Sequence, residues 1–440
     1  MTSDEDQSGS GKDEGLRIVV WGAGETGRIT AQEMIRRGNE VRLVDEYIAG
    51  INSAVPVTAL CREDLLWADL LIPSPGIPRD HHMFAYAKKV LSEIEVASSF
   101  LTGKIIAVTG TNGKTTTTTL IYEILKRAGL DAGIGGNISP PLISLAQHDP
   151  RFVVAEISSF QMEWIEHFRP YISICLNITP DHLDRYKSME EYVYYKEKIF
   201  ENQLTGDYAI VNDDDPYLKD LDGQAERMGF STERPISTNG GYIEDSRVVF
   251  CGRISGPGPC LPTEKGFGSG IVEDMLAASI AGHILGIDNT VMEEVFKGFS
   301  TIHHRYESIA NINGISFIDD SKATNVGAVE KALYGSKGKA IIILGGKDKG
   351  GDFSQLAIRY KDTIKKAVII GEATARIMTE ISDIVDCETA SNMTEAVSLA
   401  YACAVTGDTV LLSPGCSSFD MFESYAHRGE VFRQCVLAIQ

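Results

Sequence analysis

Three times along this chain a short apolar, β-branched run feeds a glycine-rich turn. Leu16 to Trp21 leads into Gly22-Ala-Gly-Glu-Thr-Gly27, Ile105 to Val108 into Thr109-Gly-Thr-Asn-Gly-Lys-Thr115, and Ala340 to Leu344 into Gly345-Gly-Lys-Asp-Lys-Gly350. Continuous apolar strands of this kind belong in parallel sheets covered on both faces by helices. Helical segments follow the first two turns, Ile29 to Arg37 and Thr116 to Ala128, the second stopping at Gly129 in a C-cap position. The pattern predicts an α/β chain of three domains. Residues 1–15 form a disordered acidic tail, 16–101 a Rossmann-like substrate-binding domain, 102–300 a central P-loop ATPase domain with a parallel sheet, and 301–440 a C-terminal Rossmann-like domain. The Gly- and Pro-rich stretch Ser231 to Gly270 is expected to decorate the central domain with short strands.

Composition narrows the function. Hydrophobic residues at 43% and charged residues at 23% describe a soluble globular chain with ample core. No apolar run reaches the ~18 residues a spanning helix needs. The first fifteen residues are acidic and lack an apolar core, so they read as neither signal nor transit peptide. A formal charge of −20 argues against nucleic-acid binding, which needs a surplus of Lys and Arg. Eight scattered cysteines without a Cys-x-x-Cys pair point to reduced thiols in a cytoplasm rather than to disulfides or zinc. The expected partners are small-molecule substrates, and the expected state is a monomer.

The segment Lys104 to Thr116 carries the chemistry. Two glycines let backbone N–H groups approach phosphate oxygens, and the following helix points its positive end at them. Lys114 would reach the β/γ-phosphates, and the Thr115 hydroxyl would ligate Mg²⁺. Residues Gly110, Thr111, Asn112, Gly113, Lys114, Thr115 and Thr116 are therefore the ATP-binding candidates. The spacing, Gly-x-x-Gly-Lys-Thr, is two residues shorter than the general P-loop pattern. Downstream, Val153 to Gln161 and Cys175 to Tyr186 each read as an apolar strand ending in polar residues, where α/β sheets bind ligands. That places Glu156 and His182 within reach of phosphates and metal; each alone also reads as an ordinary surface or helix-start residue.

Six ordered motifs, TGTNGKT, EISSFQ, NITPDHLDRY, DSKATN, LGGKDKGGDF and LLSPGCSSFDMF, resemble those of the Mur ligases, from about residue 16 to the C-terminus. The resemblance implies an ATP-dependent ligase that converts a substrate carboxylate to an acyl phosphate and displaces the phosphate with an amine. Its nearest branch adds D-glutamate to UDP-N-acetylmuramoyl-L-alanine. Charge builds on the transferred phosphoryl group, so two Mg²⁺ ions and several cations are expected around it. By the resemblance, Thr115 and Glu156 hold the nucleotide Mg²⁺, while His182 and a carbamylated Lys196 serve the second ion. Lys196 follows Tyr192 by four residues, on the same helix face; Lys198 is its competitor for that role. Arg305, of the pair His304-Arg305, would reach the ATP phosphates, and Asp320 and Lys322 would contact the nucleotide. Thr324, Lys349, Ser418, Phe419 and Tyr425 fall where the family grips D-glutamate, and Thr26, Asp45 and Asn137 where it holds the nucleotide-sugar substrate. Because the site draws on two domains, closure is expected to assemble it.

Three departures from the family stand out. The helix start Gly270-Ile-Val-Glu-Asp274 lacks the His-Asn pair and the later Asn that help hold adenosine. Phe299 to His303 is about two residues longer than usual. After Asp45, Glu46-Tyr47 replaces a small-polar and basic pair, and the stretch to Ser74-Pro-Gly76 is short; an acid beside a diphosphate is unfavourable. This damage favours an alternative in the same superfamily, closure of a carbocycle on a nickel-tetrapyrrole propionate, as in coenzyme F-430 synthesis. The Gly-x-Gly-x-x-Gly of the first domain also fits an NAD site, weakly. The lost adenosine contacts leave open a non-catalytic relative.

Overall fold

A computed structural model describes residues 15–48, 50–183, 185–262, 269–299, 303–334 and 338–439. The acidic tail, apart from Gly15, and much of the segment before His303 lie outside the described residues. Two compact units emerge, one of residues 1–105 with 132–170, the other of 106–131 with 171–440.

In the first unit, Arg17–Trp21 is flanked in parallel by Glu40–Asp45 and Leu70–Pro73, and Val57–Ala59 completes the sheet beside Glu40–Asp45. The helix Glu25–Arg36 follows the first strand, starting four residues before the sequence suggests. Its glycine turn is tight enough that Gly22 N–H donates to Val44 O at 2.8 Å. Strands Ala132–Gly136 and Phe152–Glu156 form a parallel pair in the same unit.

The second unit holds two sheets. In one, residues 106–109 of the strand Lys104–Thr109 pair in parallel with Ile172–Cys175, followed in order by Tyr208–Asn212, Glu226–Ser231, Gly240–Glu244, Arg247–Cys251 and Gly256–Cys260. As far as Cys260, the short strands expected as decoration thus continue the sheet itself. Gly240, at φ +139°, lies so close to its neighbour strand that a Cβ would stand 1.8 Å from Gly229 O. A glycine-rich sequence there is what close backbone approach requires.

The other sheet runs Glu307–Ile312, Ile315–Asp319, Thr409–Leu412, Ala340–Gly345, Ile364–Ile370, Cys387–Thr389. Only the first strand is antiparallel to its neighbour. Apolar clusters bury both faces, one around Ile342, Leu344 and Phe353, the other around Ile341, Ile343 and Phe432. Alternate residues of one strand serve opposite cores, which is why Ala340 to Leu344 is apolar throughout. The fold is α/β with parallel-rich sheets. Among the described residues, no helix is long and apolar enough to cross a membrane.

Candidate nucleotide and ligase site

The strand Lys104–Thr109 delivers the chain to a loop that opens the helix Lys114–Arg127, whose first turn carries no acidic residue. Gly113 has φ +86°, and a Cβ there would meet Asp274 Oδ1 at 2.2 Å, so only glycine fits. Asn177 pins the loop: its backbone carbonyl accepts from Thr111 N–H at 2.8 Å, and its Oδ1 from Asn112 N–H at 2.9 Å. Lys114 Nζ folds back to donate to Gly110 O at 2.8 Å and Thr111 O at 2.9 Å. The helix start combines backbone N–H groups, a positive dipole end and a lysine, the makings of an anion site.

Side chains distant in sequence converge on this loop. Arg305 Nη2 donates to Thr115 Oγ1 at 2.9 Å. Its turn is anchored on both sides by adjacent acids. His304 Nδ1 lies 2.7 Å from Asp319 Oδ2, and Tyr306 N–H donates to Asp320 Oδ1 at 3.1 Å. Both His304 (φ +65°) and Tyr306 (φ +48°) are left-handed, a strained backbone for non-glycine residues. Burial pushes the Asp320 carboxyl up to about 7, although Ser413 donates to it. Lys322 Nζ sits 4.9 Å over the Tyr425 ring. Arg305, Asp320 and Lys322 line one cleft with Asn112, Gly113 and Thr116, at the start of the helix Lys114–Arg127.

Lys196 is 2% exposed and donates from Nζ to Gly110 O at 2.8 Å, while lying 4.8 Å over the Tyr192 ring. Lys198 turns elsewhere, towards Glu201 at 3.8 Å. His182, at φ +55°, stands edge-on to Tyr192 with ring centroids 6.3 Å apart. Burial lowers its pKa, with Asp181 pulling the other way, so neutral imidazole, the metal-ligating form, is favoured.

Lys349 Nζ pairs with Asp181 Oδ1 at 3.2 Å. Burial would raise the Asp181 carboxyl, yet His182 and Lys349 outweigh it and hold it below the ordinary range. Thr324 is half-buried, Ser418 is 2% exposed, and Phe419 is 72% exposed. Phe419 therefore stands in solvent, where a pocket-lining residue was expected. In the first unit, Asn137 Nδ2 donates to Glu156 Oε1 at 2.8 Å. Asp45 there is turned to its own turn, accepting from Ala23 N–H at 2.6 Å and Tyr47 N–H at 3.0 Å, and Thr26 is half-buried in the helix start. Glu46 lies 3.4 Å from His81, so its charge has a neighbour within the unit.

Sequence reasoning missed Asp181, Asn177, Asn325 and Asp274. Asn325 trades hydrogen bonds with Asn112 and donates to Asp181 at 3.1 Å. Asp274 takes the place of the expected Asn, accepts from Thr117 Oγ1 at 3.0 Å and is raised to about 8 by burial. The cue for Asp181 was its seat beside His182; Asn325 closes a motif already in view.

Residues 108–247 match the Mur ligase middle domain and residues 304–416 the Mur ligase, glutamate ligase domain. A phosphate loop faced by lysines and an arginine on such domains defines an ATP-dependent ligase. A UDP-N-acetylmuramoylalanine–D-glutamate ligase from Geobacter metallireducens is 39% identical, over 97% of this chain and 98% of the relative. One of the same name from Acidobacterium capsulatum is 38% identical over 96% of each. The chain belongs to the Mur ligase family. Among solved structures, a pseudomurein peptide ligase type C from Methanothermus fervidus superposes with TM-score 0.65 at 18% identity, covering 97% of this chain and all of that one. The MurF ligase from Thermotoga maritima in complex with ADP gives 0.61 at 16%, covering 98% and 97%. At such identities these two speak to the fold alone.

Proposed function

We propose that this chain joins D-glutamate to UDP-N-acetylmuramoyl-L-alanine at the cost of ATP, acting in the cytoplasm as a monomer. The carrying observation is the convergence of Lys114, Arg305 and buried Lys196 on one phosphate loop, in a chain whose near-full-length relatives bear that activity in their names. A substrate carboxylate oxygen attacks the γ-phosphorus as the bond to ADP breaks. The amine nitrogen then attacks the acyl carbon, loses a proton, and inorganic phosphate leaves. Lys114 and Arg305 balance charge on the moving phosphoryl group. The helix start at Lys114 orients the phosphates, and the Asp320–Lys322 segment borders the nucleotide cleft.

Mg²⁺ fits this site: the Thr115 hydroxyl already accepts from a cation, Arg305, and hydroxyl and carboxylate oxygens are what Mg²⁺ takes. Thr115 would help hold one ion, and His182 with a carbamate on Lys196 a second; bound there, the ions would neutralise phosphate charge. Lys349, Thr324, Ser418 and Tyr425 are assigned to D-glutamate, Thr26, Asp45 and Asn137 to the nucleotide-sugar, and Phe419 to the rim of the amine pocket. Domain limits near 101 and 300 accompany this reading. The tetrapyrrole alternative rested on the altered segment after Asp45, and the relatives weigh against it; the intact loop weighs against a non-catalytic relative.

The test is phosphate release from ATP and Mg²⁺ with UDP-N-acetylmuramoyl-L-alanine, with and without D-glutamate. Release that needs both substrates is the expected result. No release from folded protein would overturn the assignment.

A further inference from the structure

In the second unit a continuous polar chain joins two residues of the catalytic reading, Asn112 and Lys349, through two that it does not use, Asn325 and Asp181. Its first link is a reciprocal amide pair. Asn112 Nδ2 donates to Asn325 Oδ1 at 3.2 Å, and Asn325 Nδ2 to Asn112 Oδ1 at 3.3 Å. The same Asn325 Nδ2 donates to Asp181 Oδ2 at 3.1 Å, and the other oxygen of Asp181 receives Lys349 Nζ at 3.2 Å. Asn325 is 5% and Asp181 7% exposed. Buried polar links of this kind have few alternative partners, so the position of one constrains the next. Asn112 belongs to the phosphate loop, and Lys349 to the loop after the strand Ala340–Gly345.

We propose that Asn325 is a positioning residue that couples filling of the phosphate loop to the placement of Lys349 for the incoming amine substrate. This rests on the assignment of Lys349 to that substrate. The geometry carries it in two ways. Asn325 Nδ2 has two hydrogens, enough to serve Asn112 and Asp181 together, so a shift of the phosphate loop on nucleotide binding that moves Asn325 also moves the donor that holds Asp181. Asp181 in turn holds Lys349 through one carboxylate oxygen, so the position of that ammonium, which carries three donors, follows the position of Asp181. Nucleotide and amine sites thereby share one coupling, which linkage makes reciprocal.

Asn325 also caps the helix Val326–Tyr334, accepting from Ala328 N–H at 2.9 Å. The test variant is therefore Asn325→Ser, which keeps a capping oxygen and removes the bridging amide. Asn325→Asp keeps the capping oxygen and the shape but loses the donor nitrogen, so the idea stays testable if one variant folds poorly. In steady-state assays with D-glutamate, each variant is expected to raise KM for D-glutamate about tenfold while kcat changes by less than about threefold. A KM within twofold of the parent in a folded variant overturns the proposal.

A second readout is independent of the amine's identity: hydrogen exchange of residues 345–351 with and without ADP and Mg²⁺. Nucleotide should change protection of that loop in the parent protein and leave it unchanged in Asn325→Ser. An equal response in both, or none in the parent, overturns the coupling. Absence of D-glutamate turnover in the parent, with the exchange response intact, overturns only the substrate assignment.

Discussion

Arg428 is 1% exposed and binds two loops of the C-terminal sheet together. Its Nε donates to Ser321 Oγ at 2.9 Å, Nη2 to Ser321 O at 2.8 Å, and both Nη atoms to Cys416 O at 3.1 Å. Arg428→Met keeps much of the volume and strips three acceptors of their donor. Charge-assisted bonds of this kind contribute about 2 kcal/mol each, so roughly 6 kcal/mol of interaction is at stake. Burying the guanidinium has an opposing cost. Burial lowers its pKa from 12.5 to about 10, a destabilisation of roughly 3 kcal/mol that methionine would not suffer. The net expectation is a loss of about 3 kcal/mol, because the backbone carbonyls remain buried whatever replaces the arginine. Urea unfolding followed by far-ultraviolet circular dichroism would measure it, with hydrogen exchange of residues 320–325 and 414–419 showing where the loss falls. Since those loops carry Asp320, Lys322 and Ser418, kcat/KM should fall even in the folded variant. A loss below 1 kcal/mol with unchanged exchange in both loops would refute the reasoning.

Glu93, buried and held by a 2.6 Å bond from Ile143 N–H, is raised by burial from 4.5 to about 7. The folded state therefore binds its proton more tightly than the unfolded chain, and this contribution is complete below about 4.5 and lost as pH climbs through 7. Glu93→Gln should thus gain up to about 3 kcal/mol over the parent at pH 8 relative to the same comparison at pH 5; matched urea curves at the two pH values check this, and parallel behaviour would dismiss it. Lys114→Ala should abolish acyl-phosphate formation, as read by trapping the intermediate with borohydride, and normal turnover would remove the loop from the mechanism. Lys196→Ala should be nearly inactive and partly restored by short carboxylic acids, with Lys198→Ala close to the parent; the reverse pattern would move the role to Lys198.

What could be read from sequence was whatever sits within one strand and the turn after it. Ala340 to Leu344 and Ile105 to Val108 are apolar on both faces because both faces are buried, and Gly113 declares a left-handed turn without help from elsewhere. Ser231 to Gly270 was legible as short strands but not as part of the sheet. Through Cys260 its strands extend the sheet, and at Gly240 the lack of a side chain lets one strand approach its neighbour. The bond from Asn325 to Asn112 spans 213 positions, and nothing local in either asparagine announces it. Asp274 was read for what it lacks, an amide, and not for where its carboxyl goes; only packing of two helices brings it beneath Gly113. The first unit's Glu46 lies 3.4 Å from His81, thirty-five positions on, a contact that no local pattern announces.

The turn that presents Arg305 has a practical meaning for anyone wishing to make this protein hardier. Two left-handed residues, His304 and Tyr306, each carry on the order of 1 kcal/mol of backbone strain that glycine would relieve. A screen ranking positions by backbone strain alone would be drawn to both. Yet glycine at either gives up the ring or the stiffness that aims one guanidinium at one hydroxyl. Robustness gained at this corner would be withdrawn from turnover, so thermostability is better sought elsewhere on the chain.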